Sequence, residues 1–170
     1  MRRNVRFLTH AAIISAAYVV LTYLQYSLLA ETVSGMIQFR ASEALCVLSF
    51  FTPAAIPGLT IGCLIFNITS SAVLPLDFLV GSLASLLASW GMWRTRRLTL
   101  WQYPLLGMFM PALTNAILVG WELDLYIGGG FWLNAFYVAL GEAAVLLTLG
   151  SVLFTALRTR KLDKRLFDLR

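Results

Sequence analysis

Ala44 to Leu76 is a stretch of 33 residues without one charged side chain. Five more such runs follow the same habit: Phe7–Ala30, Phe78–Trp93, Leu98–Trp121, Leu125–Gly141 and Ala143–Leu157. A bilayer core is about 30 Å thick, and about 20 apolar residues cross it as a helix. Only 12% of the residues are charged, where a soluble domain carries about 25%. The chain reads as an all-α integral membrane protein.

The longest run cannot be one span. As a single helix it would be roughly 50 Å long at 1.5 Å per residue. Pro53, Pro57 and Gly58 in FTPAAIPG interrupt it, because proline lacks a donor and clashes with the preceding turn. Six helices result: one within Phe7–Ala30, then about Gln38–Phe51 and Ala55–Leu74, a fourth that follows a tight turn at VLPLD, with Pro75 and Asp77, and ends near Trp93, then about Tyr103–Trp121 and Phe131–Leu157. The first run follows Arg2, Arg3 and Arg6. It is longer than the roughly 7–15 residues of a signal-peptide core and lacks a small-residue cleavage pattern, so it is expected to stay as a span.

Basic residues orient the bundle. Arg2, Arg3 and Arg6 precede helix 1, Arg94, Arg96 and Arg97 lie between helices 4 and 5, and Arg158, Arg160, Lys161, Lys164, Arg165 and Arg170 follow helix 6. Six spans put all three groups, and both termini, on the cytoplasmic side. The expected organisation is one transmembrane substrate-binding domain, 1–170, with a short basic cytoplasmic tail at 158–170. Such a tail anchors on anionic lipid headgroups or, less often, docks a partner. The net charge of +5 is explained by this placement, and no nucleic-acid partner is expected. Glu31, Asp77, Glu122 and Asp124 fall on the other side.

A charge at the bilayer centre costs from about 2.5 to more than 10 kcal/mol, so intramembrane polar groups face protein or a water-filled site. Arg40 is the only basic residue outside the three clusters, and Glu43 follows three residues later. On one helix face the two either pair with each other or line an outward-facing pocket. Asn115 and Glu122 share a stripe on helix 5. Asn115 is either an interhelical hydrogen bond or a ligand contact, and Glu122 either marks the helix end or reads a ligand. Asn134, Tyr137 and Glu142 share an arc on helix 6, and Asn67 lies on a stripe with Thr60, Cys63 and Ser71 on helix 3. Gly128, Gly129 and Gly130 make a turn or a gating loop. Small residues four apart, Ala12 and Ala16 on helix 1 and Gly81, Ser85 and Ser89 on helix 4, let helices approach closely, within the chain or against a partner.

Several classes are disfavoured. There is no GxxxxGK[ST] for ATP phosphates, no HExxH, GxSxG or CxxC, and the single histidine, His10, has no evident metal-binding partner. Cys46 and Cys63 form neither a metal motif nor a disulfide framework. No catalytic residues, no metal and no cofactor in this chain are expected. What remains is a pocket with aromatic walls and a few convergent polar groups, which suits binding.

The stretch IQFRASEALCVLSFFTPAAIPGLTIGCLIFN, followed by LDFLVGSLASLLA, resembles the queuosine-precursor (QueT-type) substrate-binding S components of energy-coupling-factor (ECF) transporters. The resemblance covers nearly the whole chain. It implies six helices, a pocket near the outer face with loop 1 as a lid, and no ATPase activity here. ATP would be used by two ATPase subunits, acting through a shared ECF transmembrane subunit on which Ala12 and Ala16 would dock. The loaded subunit would tilt within a prokaryotic cell membrane. The implied ligand is nucleobase-like, a 7-deazaguanine queuosine precursor. Its donor edge suits Glu43, Glu122 or Glu142, and its acceptors suit Arg40, Asn67, Asn115 or Asn134. An aminomethyl group would bring an ammonium for a second carboxylate. The alternatives are an S component for another vitamin-like molecule, a membrane enzyme built on a buried carboxylate such as Glu142, and a structural subunit with no small ligand.

Overall fold

The computed structural model describes residues 2–30, 32, 39–70, 74–100 and 103–160. Glu31, Gln38, Ser71 and the tail beyond Arg160, all invoked above, lie outside the described residues, as does most of the expected lid. Six helical units follow one another: α1 (Arg2–Leu28), α2 (Ala41–Phe50), α3 (Ala55–Thr69), α4 (Asp77–Thr95), α5 (Leu105–Tyr126) and α6 (Phe131–Thr159). No strand occurs among the described residues, only an isolated bridge between Leu100 and Tyr103.

The direction of each helix can be followed from its neighbours. Gly58 lies against Ala11 and Gly62 against Ser15 and Tyr18, so α1 and α3 run parallel. The bare face of α3 brings the two together: a Cβ at Gly58 would stand 2.8 Å from the Ala11 carbonyl oxygen. Asn67 meets the start of α4, Gly91 meets Met110, and Gly120 meets Ala135, so α3, α4, α5 and α6 alternate. The chain therefore makes six passes, alternately up and down. Both ends of the described bundle lie at the end that holds Arg96 and Arg158, which flank one small cleft with Phe50, Phe51 and Phe154.

The bundle is apolar on the outside as well as the inside. Leu83, Trp90, Leu113, Ile117, Trp121, Phe136 and Leu140 are exposed. A soluble protein does not expose contiguous apolar area on this scale; lipid is the solvent that suits it. Three helices are long and apolar enough to cross a membrane: Arg3–Leu28, Leu105–Tyr126 and Phe131–Thr159. The other three are shorter. At 15 residues, α3 is about 22 Å long at 1.5 Å per residue.

Two irregularities shape the interior. The expected second helix is a 3₁₀ helix of 10 residues, although 3₁₀ runs longer than 3–4 residues are uncommon. It starts at Ala41 and stops before Thr52–Pro53, which fits the proline-rich break. In 3₁₀ geometry residues three apart eclipse each other, so Glu43, Cys46 and Ser49 stack on one buried face. Facing it, α6 widens into a π turn at Leu146–Gly150, where Val47 packs on Gly150. Below this level the core is formed by Val47, Leu59, Met92, Met108, Leu146 and Phe154.

Candidate substrate-binding site

Polar side chains gather at the end of the bundle opposite Arg96 and Arg158. On α1, Tyr18, Thr22 and Gln25 stand at helical spacing on one face. Tyr18 donates its hydroxyl to Glu43 Oε1 at 2.5 Å, and Thr22 Oγ1 lies 2.7 Å from Ser42 Oγ. Gln25 accepts from the Ala41 N–H at 2.7 Å and donates to the Phe39 carbonyl. These contacts fix residues 39–43 against α1 and set the position of Arg40.

Arg40 has extended backbone, φ −91° and ψ 106°, just ahead of α2. The expectation that Arg40 and Glu43 share a helix face is therefore corrected. Arg40 reaches instead to Asp77, the first residue of α4, with Nη2 3.2 Å from Oδ2 and both side chains 6% exposed. Glu43 turns to α1 and to its own helix: Oε1 accepts from Tyr18, and Oε2 accepts from the Cys46 thiol at 3.2 Å, across the eclipsed 3₁₀ turn.

Asn67 holds the start of α4. Its amide donates to the Asp77 carbonyl at 2.8 Å. Gly81 leaves room for this arrangement, since a Cβ there would stand 2.6 Å from Asp77 Oδ1 and 2.8 Å from Asn67 Nδ2. The small-residue stripe of α4 is thus internal, with Gly81, Ser85 and Ser89 all buried. The stripe of α1 is not. Ala12 and Ala16 are exposed, in a groove of about 730 Å³ whose other walls include Leu8, Val20, Pro57, Ile61 and Ile65.

On the far wall, Asn115 of α5 donates to Glu142 Oε1 of α6 at 2.7 Å. The two intramembrane residues that the sequence singled out separately therefore meet. Glu122, on the same stripe as Asn115, is 0% exposed, and neither of its carboxylate oxygens has a partner. Burial at this depth replaces the reading of Glu122 as a mark of the helix end. Arg40 and Asp77 are its charged neighbours, and Arg40 also acts on Glu142. Asn134 goes elsewhere: its amide donates to the Gly128 carbonyl at 2.9 Å. Gly128, Gly129 and Gly130 have φ of 80°, 90° and 96°, a region costly for any residue with a Cβ. Asp124 accepts from the Gly130 N–H at 2.9 Å. Asn134 and Asp124 thereby brace a tight turn. Tyr137 is half-buried beside Phe136.

Of the residues picked from sequence, Arg40, Glu43, Asn67, Asn115, Glu122, Asn134 and Glu142 are all buried. Sequence reasoning missed Asp77 and Tyr18. By sequence Asp77 belongs to the tight turn at VLPLD, and Tyr18 is one aromatic in an apolar run. The signal for Tyr18 was its spacing of four and seven residues from Thr22 and Gln25.

The unpartnered atoms of this end have one chemistry in common. Asn67 Oδ1, Asp77 Oδ1, Glu142 Oε2 and both oxygens of Glu122 are buried acceptors without a donor. Buried acceptors are costly when unmet, and water or a ligand that brings donors would meet them. Among the described residues no group of His, Cys, Asp and Glu is arranged to hold a metal ion.

An apolar-coated helical bundle with a buried polar site at one end is an integral membrane protein. The chain belongs to the QueT transporter family, whose family model matches residues 8–159, from α1 to the end of α6. No curated protein and no solved structure matches it.

Proposed function

We propose that the chain is the substrate-binding S component of an ECF-type importer in a prokaryotic cell membrane, and that it captures a 7-deazaguanine queuosine precursor from outside. The observation that carries this reading is the set of unpartnered buried acceptors around Glu122, Asp77, Asn67 and Glu142. A guanine-like edge presents adjacent N–H donors, and carboxylates accept them in pairs. Arg40 supplies the donor for a ligand carbonyl or ring nitrogen, oriented by Asp77.

In this reading all six helices cross the membrane, the acceptor cluster faces outside and Arg94–Arg97 face the cytoplasm. The exposed Ala12–Ala16 groove takes the shared transmembrane subunit, since small residues let a partner helix come close. The partner ATPase subunits supply ATP hydrolysis, and this chain binds and carries. Thermal-shift screening of the purified chain tests the ligand class. A 7-deazaguanine is expected to stabilise it, and folate, riboflavin and biotin are not. Stabilisation by one of those vitamins with none by any 7-deazaguanine overturns the assignment.

A further inference from the structure

The end of the bundle opposite the acceptor cluster holds a cleft of the other sign. It encloses about 190 Å³, and two cations line it: Arg96, in the connection between α4 and α5, and Arg158, near the end of α6. Its apolar wall is made of Phe50, Phe51, Pro104 and Phe154. Arg96 is held twice. Its guanidinium lies 3.4 Å from the centre of the Trp93 ring, and Nη1 donates to the Trp93 carbonyl at 2.7 Å. The Arg158 guanidinium lies 5.9 Å from the Phe154 ring. Aromatic faces attract guanidinium groups within about 6 Å, so both cations are oriented by the walls beside them.

Like charges on one small cleft repel, and none of the described acidic residues lines it. Partial burial and the neighbouring Arg97 also work against the charge of Arg96 and hold its pKa below the usual guanidinium value. An anion in the cleft relieves both effects. Arg96 spends one N–H on Trp93, and a guanidinium has five, in a fork that matches phosphate oxygens in pairs. The surroundings narrow the kind of phosphate. Leu98 and Leu100, on either side of Thr99, and Leu106 are exposed, a surface that suits acyl chains. We propose that the cleft between Arg96 and Arg158 binds the phosphate of one anionic phospholipid, whose chains lie over these leucines. Basic pockets between membrane helices take such headgroups, and the choline of a zwitterionic lipid would set a cation against the two arginines. The bound lipid ties the α4–α5 connection to the end of α6. This is one fixed site, distinct from the general attraction of the basic tail for a charged surface, because Arg96 lies outside that tail. It is independent of the ligand at the other end.

The test uses the purified full-length chain in neutral detergent, with phosphatidylglycerol, phosphatidylcholine or inorganic phosphate added. Phosphatidylglycerol is expected to raise the melting temperature by at least about 3 °C over phosphatidylcholine. Native mass spectrometry is expected to show one retained phosphatidylglycerol per chain. Both effects are expected to vanish when Arg96→Gln and Arg158→Gln are combined. They are expected to persist when Arg94→Gln and Arg160→Gln are combined, which removes the same charge at exposed positions outside the cleft.

Equal loss in the two double variants would mean diffuse attraction to a charged surface and overturns the site. Inorganic phosphate that stabilises the wild type as strongly as phosphatidylglycerol would mean that the cleft takes free phosphate, and overturns the lipid. No preference for phosphatidylglycerol over phosphatidylcholine overturns both. Arg96→Lys guards against a double variant that folds poorly, since it keeps the charge and loses the fork. It is expected to melt like wild type in phosphatidylcholine and to lose at least about half of the phosphatidylglycerol shift. A full shift in Arg96→Lys overturns the reading of Arg96 as the group that grips the phosphate.

Discussion

Arg40 and Asp77 are 37 residues apart in sequence and meet at 3.2 Å inside the bundle. The pair ties the segment ahead of α2 to the first residue of α4. Removing one partner of a buried ion pair leaves an uncompensated charge and costs about 3–5 kcal/mol. Asp77→Asn is therefore expected to lower the thermal stability of the purified protein steeply. Leucine at both positions is expected to recover much of that loss while abolishing ligand binding. A melting temperature of Asp77→Asn equal to wild type would show that the pair carries no stability.

Tyr18 and Glu43 make a second cross-link, between α1 and α2. A buried acceptor stripped of its donor costs about 1–3 kcal/mol. Tyr18→Phe is expected to be destabilised by that amount, measured by thermal unfolding. Ligand affinity should change little, because both Glu43 oxygens point to protein donors. A large loss of affinity in a stable Tyr18→Phe variant would instead place Glu43 in direct contact with the ligand.

These two cross-links show what was legible in the sequence and what was not. Uncharged runs and FTPAAIPG marked six helices, because helix length and proline chemistry are local properties. Intramembrane polar residues marked the buried polar cluster, because their burial is costly unless they face protein or a water-filled site. Partners were harder to foresee. Spacing suggested Arg40 with Glu43, but that holds only if both lie in one helix, and Arg40 stands outside it. Asp77 looked like a turn residue until α3, α4 and the segment before α2 brought Asn67 and Arg40 to it. The 3₁₀ form of α2 leaves no periodic mark that separates it from a short α-helix.

The exposed groove of α1 and α3 gives a separate prediction. Replacing Ala12 and Ala16 with leucine fills the groove and leaves the acceptor cluster untouched. Uptake and co-purification with the transmembrane partner are expected to fail, with ligand binding by the isolated chain retained. Normal uptake by this variant would remove the groove from the docking surface.

Topology is open to direct labelling. In a background without Cys46 and Cys63, single cysteines at Arg97 and Asp124 are expected to react with impermeant reagents from opposite sides, with Asp124 outside. Arg97 precedes α5 and Asp124 lies near its far end, and α5 is one of the three helices long and apolar enough to cross a membrane. Labelling of both from one side would contradict the six-span arrangement.

The acceptor cluster is expected to bind a 7-deazaguanine. Calorimetric titration of the purified chain with 7-deazaguanine bases tests it most directly. Saturable binding at one site per chain is expected, lost when Asn67 and Glu142 are both replaced by leucine in a folded protein. Absence of heat for every 7-deazaguanine, together with saturable binding of folate, riboflavin or biotin, would contradict it.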